Sequence, residues 1–283
     1  MRFLNSQIKI AFFICLAIIV ASVIQIYLYG SWKEDEISVW IFDVGQGDSI
    51  FIDAHIDILI DGGPTSVIIE KLTEVLPFWD RTIDFIISTH PHADHLTGLI
   101  DVLRRYVVTT IYTSGQDYQT GAYDIFKDLS ASQVDSMSVG DSIKLQQDVS
   151  IKTIWPMTDF EGKTLDDPND GSIVLLVNCF DTKILLTSDI GIDEEKAIID
   201  SVGDIDVLKV GHQGSNTSSS EEFLRAIDPE VAVISVCEND YGHPSNKVIN
   251  RLDKVGAVVY RTDVDGDVRI MCSKDGYEIK LYK

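Results

Sequence analysis

The chain has 283 residues, 45% of them hydrophobic, enough for one domain with a sizeable core. Its 23 basic and 45 acidic side chains give a formal charge of −22. That balance argues against a surface built for nonspecific nucleic-acid capture, which needs basic side chains to neutralise phosphates. A cleft made locally positive by bound metal remains open to such a substrate.

Residues 10–29 are almost unbroken apolar sequence, interrupted only by Ser22 and Gln25. As a helix at ~1.5 Å per residue the run reaches ~30 Å, the thickness of a bilayer core. Arg2 and Lys9 precede it and Trp32 follows, so the positive-inside bias places the N-terminus in the cytoplasm and the rest of the chain outside. The expected organisation is a membrane anchor over 1–30, a linker over 31–37 and one domain over 38–283. A cleaved signal peptide is the competing reading, but the run exceeds an h-region of ~7–15 residues and no A-x-A site follows.

Beyond the linker, β-branched and apolar runs predict strands at 38–42, 49–52, 56–60, 83–88, 107–112, 150–154, 172–178, 183–187, 207–210, 231–236, 257–260 and 268–271. Helical periodicity predicts helices at 66–76, 94–105, 193–201, 220–227 and 245–255, the fourth opened by a capping box of Ser219 and Glu222. Several strands before the first helix, then alternation, fit two sheets with helices outside. The four cysteines include no CxxC pair. Cys179, Cys237 and Cys272 read as small core residues, with one disulfide among them open to an exported domain.

The chemistry concentrates between the strand at 83–88 and the helix after it, in STHPHADHLTG (88–98). His90, His92, Asp94 and His95 fall within six residues, on a loop where side chains converge without filling core space. Imidazole and carboxylate together suit a hydrolytic divalent metal better than a structural thiolate site. His90 and His92, two apart in an extended loop, face one side and can share an ion. Asp94 and His95 would serve a second.

HxHxDH spacing resembles the signature of the metallo-β-lactamase fold. Asp61-Gly62-Gly63, Asp189 in LLTSDI and His212 in KVGHQGS follow in that family's order. FDVGQGDS (42–49), NDGSIVL (169–175), LKVGHQGS (208–215), YGHPS (241–245) and YRTDVDG (260–266) resemble, more narrowly, the soluble hydrolase domain of ComEC-type DNA-uptake proteins. The resemblance implies an α/β four-layer αββα sandwich after the N-terminal transmembrane helix. It implies two divalent ions, zinc first with manganese also suited, with His90, His92, Asp94, His95, Asp189 and His212 as ligands. Asp189 would bridge the ions and His212 would join Asp94 and His95, while Asp94 and Asp189 would also serve catalysis through the water the ions activate.

Two further groups are catalytic candidates. His243, in a Gly-His-Pro turn, is a substrate-binding or proton-donating group, or else stabilises the turn. Lys209 binds a phosphate oxygen, or else pairs with an acid on the sheet. The chain departs from the family at His212-Gln213-Gly214-Ser215, where HHGS is usual, and no histidine occurs from 97 to 188. Asn169 and Ser172 are the weak oxygen donors matched to that gap. The implied function is membrane-anchored, extracytoplasmic phosphodiester hydrolysis, DNA foremost, in association with a separate uptake channel. Another ester, thioester, phosphorylcholine or lactam hydrolase, and a catalytically silent surface binding protein, are the alternatives.

Overall fold

The computed structural model describes residues 2–32 and 37–283, and separates the chain into an N-terminal unit and a unit from Ile37 to Lys283. The first is a single helix, α1 (Arg2–Trp32), whose side chains over 9–24 are exposed. Among the described residues no helix is long and apolar enough to cross a membrane. The span expected at 10–29 runs past the described side chains, and most of the linker expected at 31–37 lies outside the described residues.

The second unit contains two sheets whose strands follow the period-two rule closely. In β1 (Ile37–Ile41), β2 (Ile50–Asp53) and β3 (Ile58–Ile60), the residues Val39, Ile41, Ile50, Ile52, Ile58 and Ile60 enter one core. Trp40, Phe51 and Leu59 alternate with them and enter another. These strands belong to an eight-stranded sheet with β4 (Thr82–Ser88), β5 (Val107–Thr113), β6 (Val134–Ser136), β14 (Asp267–Ser273) and β15 (Gly276–Tyr282), in the order β15-β14-β1-β2-β3-β4-β5-β6. The seven-stranded sheet runs β13 (Val258–Arg261), β12 (Val231–Ile234), β11 (Val207–Lys209), β10 (Thr182–Leu186), β9 (Val174–Cys179), β8 (Val149–Trp155) and β7 (Ser142–Gln146).

Three apolar cores give the layers. The first lies between the sheets and includes Ile37, Val39, Ile52 and Ile60 from one and Leu175, Val177, Ile184 and Val207 from the other. The second packs α2 (Val67–Val75), α3 (Ala93–Leu103) and α4 (Gly121–Ser130) on the outer face of the larger sheet through Leu72, Leu99 and Phe126. The third packs α5 (Ile192–Val202), α6 (Glu221–Ile227) and α7 (Asn246–Val255) on the smaller sheet through Ile198, Leu224 and Leu252. This is the expected two-sheet arrangement with helices outside; one short turn, α8 (Thr262–Asp265), follows β13.

Besides β6, β7, α4, α8 and β15, which the sequence periodicity does not mark, two details of side-chain pairing differ from expectation. Cys179 and Cys272 are not separate core thiols but a disulfide, with Cα atoms 6.2 Å apart, joining β9 to β14 and hence one sheet to the other. Both sit on the inward parity of their strands, Cys179 with Leu175 and Val177, Cys272 with Val268 and Ile270. The N-cap of α6 is Ser220, whose hydroxyl accepts from the Phe223 N–H, rather than Ser219. Ser219 has φ 52 and instead donates its N–H to the buried Glu195 carboxylate, which also accepts from Ser220 N at 2.9 Å.

Candidate metal centre

The chemistry-bearing residues leave the carboxyl ends of parallel strands. β3 and β4 are parallel, as are β10, β11 and β12. Asp61 follows β3, His90 to His95 follow β4, Asp189 follows β10, and His212 and Gln213 follow β11. Side chains from both sheets therefore meet at one edge of the sandwich.

The DGG turn is seated by contact too close for any side chain. A Cβ on Gly98 of α3 would lie 1.9 Å from the Gly62 carbonyl oxygen, and one on Gly62 would lie 2.4 Å from Leu99 N. Gly62 N donates to His95 O at 2.7 Å and Gly98 N to Gly63 O at 2.9 Å. Glycine at both positions lets the turn press against the start of α3, which brings Asp61 under His95.

Asp61 then sets the tautomers of two histidines. Its Oδ1 accepts from Thr89 N at 2.8 Å, and its Oδ2 from Thr89 Oγ1 at 2.7 Å and from His95 Nδ1 at 2.8 Å. With its proton committed to Asp61, Thr89 Oγ1 uses its lone pairs to accept from Ser188 Oγ at 2.8 Å and from His90 Nδ1 at 3.1 Å. Both rings thus carry hydrogen on Nδ1 and turn Nε2 toward the same space. His90 Nε2 is buried with no hydrogen-bond partner. His90 Nε2, His95 Nε2 and an Asp189 oxygen are the natural ligand atoms, and the ligand atoms of this buried trio lie within 4.8 Å of one another.

Electrostatics favours a cation here. Burial lowers the pKa of His90 well below its ordinary value, helped by the charge of His95, and leaves a neutral ligand nitrogen. Burial also opposes charging of His95, but Asp189 and Asp61 outweigh it and hold that imidazole well above the ordinary range. Asp189 is held well below the carboxylate range despite its own burial, because His95 lies 3.3 Å from its Oδ2, with His90 and His212 adding to the effect. An unpartnered imidazole nitrogen beside a buried carboxylate is the donor set a divalent metal requires.

The remaining expected residues are placed as follows. His92 flanks the trio, its ring 4.9 Å from that of His90 and 5.8 Å from Tyr118. Asp94 Oδ2 is 3.7 Å from His95 Nε2 and partly exposed. His212 stands farther out, its Nε2 4.0 Å from Asp189 Oδ2 and its Nδ1 3.4 Å from Thr217 Oγ1. The neighbouring Gln213, not His212, reaches Asp94, His95 and Asp189. Lys209 is not available to a phosphate: its Nζ is enclosed and bonds Asp48 Oδ2 at 2.7 Å and Val210 O at 3.1 Å. This buried pair corrects the catalytic assignment: the partner is an acid, but one on the loop between β1 and β2, supplied by the FDVGQGDS segment, rather than on the sheet. His243 lies half-buried with its ring 5.9 Å from that of His212, and its Nδ1 has no partner. Asn169 Oδ1 and Ser172 Oγ are likewise buried without partners.

Backbone strain gathers at the same place. Asp61, Ser188, His212 and Gln213 have φ of 57, 47, 50 and 47°, a region costing non-glycine residues about 1–3 kcal/mol each. Asp61 is the functional residue the sequence reading left as part of a turn; its signal was position alone, an acid at a strand end before two glycines. Asp61→Asn should weaken divalent-metal affinity by about 10- to 100-fold, because an amide cannot accept from all three donors that now converge on it. Isothermal titration of the folded variant with manganese or zinc measures this, and unchanged affinity would remove Asp61 from the centre.

Residues 42–238 match the metallo-beta-lactamase superfamily. The chain is 28% identical over 256 residues to ComE operon protein 3 of Bacillus subtilis (strain 168), covering 81% of this chain and 32% of that protein. It is 28% identical over 268 residues to competence protein ComA of Neisseria gonorrhoeae, covering 88% and 35%. It therefore spans about a third of the length of these curated relatives. Among solved structures, Igni18, a metallo hydrolase from Ignicoccus hospitalis KIN4/I, superposes with a TM-score of 0.53 at 14% identity, over 88% of this chain and 99% of that one. The family match, joined to the unpartnered His90 nitrogen and its neighbours, places this chain in the metallo-β-lactamase superfamily of metal-dependent hydrolases.

Proposed function

We propose that the chain is a membrane-anchored, extracytoplasmic hydrolase that cleaves phosphodiester bonds with a divalent metal, DNA foremost among its substrates. The observation that carries metal dependence is the buried, partnerless His90 Nε2 facing His95 and Asp189. A divalent ion bound there supplies Lewis-acid polarisation of a phosphoryl oxygen and lowers the pKa of water. Two histidines with oxygen donors suit zinc or manganese.

The protein's own groups do the rest. Asp61 and Thr89 hold both imidazoles with Nε2 inward, and Asp189 fixes negative charge between them. Partial burial, together with His212, holds the pKa of His243 below the ordinary value. That lowering disfavours the protonated ring, and the partnerless Nδ1 is free to hydrogen-bond substrate. His92, Asp94 and His212 are the half-buried members of the cluster, the side from which a substrate would meet it.

The phosphodiester reading rests on similarity to proteins named for competence. A charge of −22 leaves the metal centre, rather than the general surface, to attract phosphate. Association with a separate uptake channel follows from the same similarity. The apolar run at 10–29 behind Arg2 and Lys9 supports the anchor and its orientation. The buried disulfide supports an oxidising compartment, where such bonds persist.

The full chain, recovered from salt-washed membranes and loaded with metal, should cleave single-stranded DNA and a generic phosphodiester and lose both activities to a chelator. Full activity after metal removal, or turnover of a β-lactam alone, would overturn the reading.

A further inference from the structure

Gln213 occupies an unusual position for a neutral amide. Its Nε2 lies 3.5 Å from Asp94 Oδ2, 3.3 Å from His95 Nε2, and 3.3 and 3.2 Å from the two oxygens of Asp189. These are the residues expected to hold one of two ions, and the amide nitrogen stands among them. The side chain is buried.

The orientation of that amide follows from a neighbouring chain of hydrogen bonds. The backbone N–H of Cys237, a donor only, points to Gln46 Oε1 at 3.4 Å. Gln46 must therefore present its NH₂ at the other end, where Nε2 donates to Gln213 Oε1 at 3.5 Å. Gln213 in turn directs its own NH₂ into the acids. An amide nitrogen has no lone pair for a metal, and its hydrogens answer the same carboxylate oxygens that an ion would need. To offer Oε1 instead, Gln213 would set its NH₂ against that of Gln46. If Gln46 then turned as well, its NH₂ would face the Cys237 N–H. Donor opposes donor at one link or the other. The left-handed backbone at both His212 and Gln213 holds the side chain where it is.

We infer that Gln213 closes the position where Asp94 and His95 meet Asp189 to a second metal ion, so that this chain holds a single divalent ion tightly, on the His90 side. There His90 Nε2 and the shared Asp189 carboxylate, whose oxygens keep further lone pairs, hold it with His92 beside them. His90 Nε2, which no protein group satisfies, marks that side. Gln46 is a positioning residue for this arrangement: it does not touch the acids but fixes which end of Gln213 does. The inference replaces the two-ion expectation from the sequence and rests on the metal dependence proposed above.

The test is a metal count on the full chain. Wild-type protein is loaded with manganese or zinc, desalted, and analysed by elemental mass spectrometry, with the second binding step followed by calorimetry. About one ion per chain should survive desalting in the wild type and about two in Gln213→His, since imidazole supplies a ligand nitrogen where the amide supplies hydrogens. Gln213→Ala, which removes the amide without adding a ligand, should bind a second ion at least tenfold more weakly than Gln213→His and more tightly than wild type. It also serves if the histidine variant does not fold. Two ions retained by wild type, or a folded Gln213→His still at one with Gln213→Ala indistinguishable from wild type, would overturn the inference. A chain that binds no divalent ion in any form would instead overturn the metal-dependent reading on which it rests.

Discussion

Asp189→Asn should lower turnover of a generic phosphodiester by at least about a hundredfold, some 2.7 kcal/mol of barrier, while leaving the domain folded. The two side chains have the same shape, so packing after β10 is preserved. What changes is charge at a carboxylate that faces His95 and accepts from Gln213 through both oxygens. The asparagine keeps one acceptor and turns a donor toward the Gln213 NH₂, which already donates. Bound metal should fall with the rate, and circular dichroism should remain that of wild type. Turnover within about tenfold of wild type, a loss below ~1.4 kcal/mol, would remove Asp189 from the reacting centre.

The second large effect is expected from the disulfide. Cys179 and Cys272 are 93 residues apart in sequence and fully buried, so the bond closes a long loop across the core. Loss of a constraint of that length costs about 2–5 kcal/mol. In a domain of this size that corresponds to a melting temperature lower by roughly 4–20 °C. The Cys179→Ala, Cys272→Ala double variant should show this fall in calorimetry. The unreduced, denatured wild type should in turn titrate with two free thiols, Cys15 and Cys237. Four titrating thiols, or an unchanged melting temperature in the variant, would mean that the two sheets are not cross-linked.

Most of the architecture was readable in the sequence because its signals are local. Alternation in 38–42, 49–52 and 56–60 marks strands with one face in each core, and the structure sorts Ile50 and Ile52 from Phe51 accordingly. The histidine cluster was readable for the same reason: three of its members lie within six residues between a clear strand and a clear helix. Elements that bury little were missed. Helix α4 buries only Phe126 and Ser130, and β15 is an edge strand with no fully buried residue. At the site, what escaped was convergence between distant segments. Nothing near Lys209 in sequence announces Asp48, and nothing near Gln213 announces Gln46. The departure at Gln213 was visible as a residue, but its meaning depends on which way its amide faces. The cysteine pair was half-visible: the inward parity of each is local, but their meeting across two sheets is not.

The strand order β15-β14-β1 also governs when the domain can be completed. β1 begins at Ile37, yet one of its two neighbours is β14, in register from Ile37 opposite Cys272 to Ile41 opposite Val268. During synthesis, β1 is made well before its partner, with β2 to β13 all lying between them in the chain. Until then one side of an isoleucine-rich strand offers unpaired backbone groups, the kind of edge that recruits other chains. Contacts of such sequence separation also make folding slow, since loop closure must precede the pairing that rewards it. The domain therefore behaves as a unit that is sealed last at its own beginning. A chain cut short before Asp267 would lose β14 and β15 together with the cystine, leaving β1 as the open edge of a six-stranded sheet.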